Sequence, residues 1–164
     1  MSAATVTATS PTPGTLIDTV YDSPDYRDAF LVDSAHGGRI EDFATGFFLA
    51  QPRWLAKVSM NLGDAQSRQA AINAGEYLEG SSVGSWKVYG RTDDEIVFGE
   101  HMGFMEYRFS MLQKPDGQVE AATSVKYLKR FGHIYFGVLK PFHIGFIKVA
   151  LRNASARGAQ VHAR

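Results

Sequence analysis

Five histidines, His36, His101, His133, His143 and His162, are the side chains best suited by type to proton transfer or metal ligation. His133 and His143 fall on one expected helix, ten residues apart. That separates them by ~80° around the axis and ~15 Å along it, so they cannot chelate one metal together. No histidine has a second metal-type ligand four residues away, and no metal site is expected. His143 reads first as a polar cap or backbone partner. Glu100-His101 would be an acid–base pair at a strand end, or simply a turn. Glu106 and Arg108 share one face of a strand; they would grip a polar ligand group, or form a solvated ladder on the outer face. Asp93-Asp94-Glu95 suits a turn and lacks the ligand spacing of a calcium loop. Gly37-Gly38 and Gly80 to Gly84 do not form phosphate loops, and no GxSxG elbow is present. With zero cysteines, disulfides, thiolate catalysis and Cys-ligated metals are excluded, and a reducing, cytoplasmic setting is the expectation. No cofactor is called for.

A second group carries its signal by periodicity. Trp86, Val88, Phe98, Met105, Tyr107, Phe109, Tyr135 and Phe142 form an apolar, mostly aromatic set. They would make either a filled core or the lining of a ligand cavity. Within it Tyr107 and Tyr135 bring hydroxyls that need partners when buried, and His143 joins them as a third polar group for such a cavity.

The elements that must position these residues follow from apolar spacing. Tyr26 to Asp33 reads as a strand and His36-Gly37-Gly38 as a turn. A helix begins near Ile40, with Phe43, Phe47 and Phe48 recurring along it and Glu41 and Asp42 in its first turn. Gln51-Pro52 interrupts it, a second helix runs from Arg53 toward Leu62, and a short one ends before Gly75. From Gly84 the period becomes two. Four antiparallel strands follow, with Lys114-Pro115-Asp116-Gly117 as a hairpin turn. Met105, Tyr107, Phe109 and Met111 face one way, and Glu106, Arg108 and Ser110 face a wetted side. Phe131 to Ala154 is a long helix with Pro141 inside it. Tyr135, Val138, Phe142, Gly145, Phe146 and Val149 are expected on its inner side. Lys140, Lys148 and Arg152 are expected outside, among Ile144, Ile147 and Leu151. That mixed outer face would serve a homodimer or a membrane-surface contact.

The chain has 164 residues, 45% of them hydrophobic, and 17 basic against 17 acidic groups. This suits one α+β domain over 21–154 and gives no overall attraction to nucleic acid. Residues 1–20 read as a disordered leader without signal-peptide character, and 155–164 as a flexible tail. Residues 134–151 hold lysines at 140 and 148, each opposing insertion by ~2.5–3.5 kcal/mol, so no transmembrane segment is expected.

Several stretches, in this order, resemble the DUF2867 family of uncharacterised bacterial proteins, within the START/Bet v 1-like (SRPBCC) superfamily. They are Asp25-Tyr26-Arg27-Asp28-Ala29-Phe30, Pro52-Arg53-Trp54, Thr92 to Glu100, Met105-Glu106-Tyr107-Arg108-Phe109, and Tyr135 through Pro141-Phe142-His143. Phe104 and Met60-Asn61-Leu62-Gly63 depart from the family pattern. The resemblance implies a helix-grip fold, a curved antiparallel sheet wrapped around the long C-terminal helix, with a cavity for an apolar molecule. Three functions fit: binding a small apolar or amphipathic ligand, cyclase- or dehydratase-like catalysis by Tyr107, Tyr135 or His143, and a protein-interaction module.

Overall fold

The computed structural model describes residues 4–34, 38–50 and 65–161, with side chains omitted at 65–68 and 157–161. The elements are β1 (Val6–Thr9), α1 (Leu16–Thr19), β2 (Tyr26–Asp33), α2 (Ile40–Ala50), α3 (Ala65–Ala74), β3 (Ser82–Val83), β4 (Trp86–Arg91), β5 (Glu95–His101), β6 (Met105–Gln113), β7 (Gln118–Tyr127) and α4 (Arg130–Val161). The helix expected over 53–62, the break before it and most of the turn at 36–38 lie outside the described residues.

Period-two alternation and a tight turn build the centre of the sheet. β6 and β7 pair antiparallel, with Tyr107 opposite Val125 and Phe109 opposite Thr123. Gly117, at φ +86°, closes their hairpin through a bond from its N–H to the Lys114 carbonyl. The strand order is β1-β2-β7-β6-β5-β4-β3, all antiparallel. The fold is α+β: a curved seven-stranded sheet with α2 and α4 against one face.

That inner face is where the main core sits. Phe43, Phe47 and Phe48 of α2 interdigitate with Phe98, Phe109, Ile96 and Met111 of the sheet, and all seven are 3% exposed or less. The first turn of α2 is tied to β4 by an ion pair between buried Glu41 and half-buried Arg91.

The outer face differs from the wetted surface that alternation suggests. Ser110, Glu120 and Ser124 are 1% exposed or less. They are covered because residues 4–20 are ordered, where composition suggests a disordered leader. The cause is polar anchoring more than apolar burial. The Glu95 carboxylate accepts the Leu16 and Ile17 N–H groups at 2.7 and 3.1 Å. Glu120 accepts the Thr12 N–H and hydroxyl at 2.8 and 2.6 Å. Ile17 then packs on Ala29, Val97 and Ala122. At the other end, α4 continues through the expected tail to Val161, and the Ser155 hydroxyl donates to the Asp33 carbonyl at 2.6 Å.

The long helix is turned about its axis relative to the expected placement. Phe136, Ile147, Ala150, Leu151 and Ala154 face inward at 5% exposure or less. Val138, Phe142 and Val149, expected inside, are 66%, 73% and 49% exposed. Ile147 and Leu151, expected outside, are core residues, so they cannot form a dimer surface. The helix carries apolar side chains all round, so its own pattern does not select a side. The sheet selects it, by presenting Asp28 and Thr123 to His143. Pro141 lies within the helix on its exposed side, where the Gly137 carbonyl that loses a donor can turn to solvent.

Candidate functional site

Between the first half of α4 and the ends of β4–β7, packing is incomplete. A cavity of about 200 Å³ opens there. Two features at the start of α4 and the residues just before it hold the wall in place. The Phe104 carbonyl accepts the Leu128 and Lys129 N–H groups at 2.9 and 3.0 Å. Gly132 lies against that same carbonyl so closely that a Cβ would sit 2.4 Å from the oxygen, which only glycine tolerates.

The wall is mostly apolar. Trp86 marks its boundary with the packed core, its ring 5.7 Å from that of Phe48 on one side and 6.3 Å from that of Tyr107 on the other. Met105, Phe109, Val125, Tyr135 and Phe136 add to the lining. Of the residues expected there, Trp86, Met105, Tyr107, Phe109, Tyr135 and His143 meet around one space. Val88 and Phe98 are instead sealed in the packed core at 1% and 0% exposure. Phe142 points away from it, outward from α4.

Two polar stations interrupt the apolar wall. At the first, the Tyr107 hydroxyl donates to Glu100 Oε2 at 3.0 Å. Burial pushes the Glu100 carboxyl up, and the Tyr107 bond only partly offsets it. Burial, and then the Glu100 charge, hold the Tyr107 phenol well above its usual value. Tyr135 is raised for the same two reasons. At the second, His143 Nε2 lies 3.4 Å from Asp28 Oδ2 and 3.3 Å from the Thr123 hydroxyl. The Tyr26 hydroxyl donates to the same Asp28 oxygen at 2.7 Å. Burial alone would raise Asp28, but bonds from His143, Tyr26 and Thr123 outweigh it and hold the carboxyl below its ordinary value. Both His143 contacts use Nε2, so this is a dyad and not a relay through the ring. Nδ1 makes no hydrogen bond among the described residues.

Asp28 was not singled out by sequence reasoning, and Glu100 only as a partner of His101 at a strand end, though a signal for the place of each exists. Glu100 is two residues past Phe98 and Asp28 two before Phe30, so the strand period puts both carboxylates on the apolar face. Glu100 and His101 therefore diverge. His101 goes to the outer side and meets Glu106 at 3.1 Å. Arg108 lies on that outer side too, over the Tyr89 ring at 3.5 Å and 3.8 Å from Glu106, well away from the cavity. Among the described residues no cluster of three His, Asp or Glu is placed to hold a metal.

A family profile described as a protein of unknown function, DUF2867, matches residues 20–149. No curated protein and no solved structure matches the chain.

Proposed function

The chain belongs to the DUF2867 family, and we propose that it binds a small, largely apolar molecule with a polar end in the cavity between sheet and C-terminal helix. The observation that carries this reading is the coexistence of about 200 Å³ of space with two fixed polar stations, inside a protein whose adjoining core is filled. A polar pair that only stabilised the fold would be closed over by side chains. The volume suits a compact ligand. Tyr107–Glu100 offers a hydrogen-bonding end, and the aromatic wall takes the apolar remainder. The arrangement of a curved sheet around a long helix is consistent with a helix-grip protein of the START/Bet v 1-like kind, and that kinship would explain the cavity's position. We place the protein in the cytoplasm on its lack of cysteine.

Native mass spectrometry of the purified protein, followed by solvent extraction, tests the proposal. A bound small molecule is expected with the wild type and not with Val125→Phe, which adds bulk to the cavity wall. If neither protein carries or takes up an apolar molecule, the reading fails.

One observation favours a second reading, proton-transfer catalysis. His143 is oriented by Asp28 through Nε2 and leaves Nδ1 without a hydrogen-bond partner among the described residues, as a general base would. Incubating the extracted molecule with protein in heavy water separates the readings. Deuterium uptake at carbon, lost in His143→Gln, supports catalysis, and no uptake leaves binding alone.

A further inference from the structure

The side of α4 turned away from the sheet is apolar where solvent should favour polar residues. Phe131, Ile134, Val138, Phe142 and Val149 are between 49% and 66% exposed, or 73% for Phe142. They recur at spacings of three, four, four and seven residues and so form one stripe, ~27 Å long at the rise of a helix. A row of this length is more than the scattered apolar exposure of an ordinary surface. The stripe also has a consistent electrical setting. α4 contains five Lys or Arg and no Asp or Glu. At helical spacing Arg130, Lys148 and Arg152 fall along one flank of the stripe. Among the described residues, none of Lys129, Arg130, Lys140, Lys148 and Arg152 is in an ion pair.

We propose that this stripe docks on an anionic membrane surface, with α4 lying in the plane of the lipid headgroups. By length and composition α4 is apolar enough to cross a membrane. Its inner face, however, is committed to the sheet through Phe136, Ile147, Ala150 and Leu151, so the helix lies on the bilayer instead of spanning it. Charge selects the lipid surface over a second copy of the chain. Pairing two such helices would set unneutralised cations against cations, whereas anionic headgroups neutralise them and the apolar row enters the acyl boundary. Phe104 extends the patch, its ring 5.0 Å from Phe131 and 5.2 Å from Tyr135. Because Tyr135 lines the cavity, the docked face borders the cavity mouth. The docking itself does not depend on what the cavity holds.

Vesicle flotation of the full chain tests this, with phosphatidylcholine alone and phosphatidylcholine mixed with phosphatidylglycerol. Association is expected with the anionic vesicles only. It should weaken about 25-fold at low salt in the double variant Arg130→Gln/Lys148→Gln, at roughly fivefold per charge near an anionic surface. Phe142→Ser combined with Val138→Ser should weaken it by at least about tenfold. Arg130, Val138 and Phe142 are exposed, and Lys148 is half-buried with its amine 5.4 Å from the Phe30 ring centre, so circular dichroism checks that both variants fold. Equal binding to neutral vesicles, no binding to anionic ones, or serine variants that bind like the wild type would each overturn the proposal. So would light scattering that shows a dimer broken by the serine variants, since a second copy would then cover the stripe.

Discussion

The two halves of the sheet's inner face are built from similar residues and end in opposite states. Under α2, Phe47 stacks on Phe109 at 5.3 Å, Phe48 meets Phe98 edge-on at 5.2 Å, and Tyr77 closes on both Phe48 and Phe98. Under the first half of α4, equally aromatic strands leave about 200 Å³ open. The difference lies in what the covering helix contributes and in what the strands place among the apolar residues. α2 drives three phenylalanines into the sheet. α4 borders it with Tyr135, Phe136, Leu139, His143, Phe146 and Ile147, and turns Phe131, Ile134, Val138 and Phe142 to the outside. The strands under it carry Glu100, Asp28 and Thr123, whose polar atoms need partners before neighbours can close in. A packed core and a binding site can thus be cut from one alternating surface by changing a few residues on the facing element.

The largest expected break in this contrast is Phe47→Ala. In the filled half it should lower unfolding free energy by about 3–5 kcal/mol, read by denaturant titration. A truncation in the hollow half, Leu139→Ala, should lower it by only about 1 kcal/mol or less, because the side chain already borders open space and is 36% exposed. If both losses were equal, the two halves would not differ in packing.

Gly132→Ala should fall between these, at about 1–3 kcal/mol. Its methyl group would meet the Phe104 carbonyl and push the start of α4 off the β5–β6 turn. Amide exchange should rise at Leu128 and Lys129, which bond that carbonyl, and stay unchanged in α2.

The smallest effect is one of pH. Burial raises Glu100, so the folded state holds its proton more tightly than the unfolded chain. Native stability from this group is therefore present below the ordinary carboxylate value and declines as pH rises through the raised one. Glu100→Gln should remove that decline, leaving the variant relatively more stable near neutral pH and equal to the wild type in acid. Asp28 has the opposite sign. Its lowered carboxyl contributes stability above the ordinary value and loses it as pH falls, so Asp28→Asn should narrow its deficit in acid. Thermal melts across the acid range distinguish the two signs.

Much of the sheet could be read directly. β2 occupies the expected span, and the inner set Met105, Tyr107, Phe109 and Met111 has the predicted side, because a strand's alternation is a local property. The strand residues Trp86, Met105, Tyr107 and Phe109, which border the cavity, were legible for the same reason. Val88 and Phe98 have the right face but the wrong half, since alternation says nothing about what covers a strand. Phe142 failed because α4 is apolar on both sides and its spacing cannot choose between them.

The sequence alone determined β2, α2, the four strands after Gly84, the long helix and which strand residues share a face, since these depend on contacts a few residues apart. Tertiary structure decided three other things: which side of α4 turns inward, that residues 4–20 cap the outer face, and that one half of the core stays hollow. Each depends on groups far apart in the chain, such as Asp28 with His143, Glu95 with Leu16 and Phe104 with Gly132. Local periodicity carries no record of those meetings.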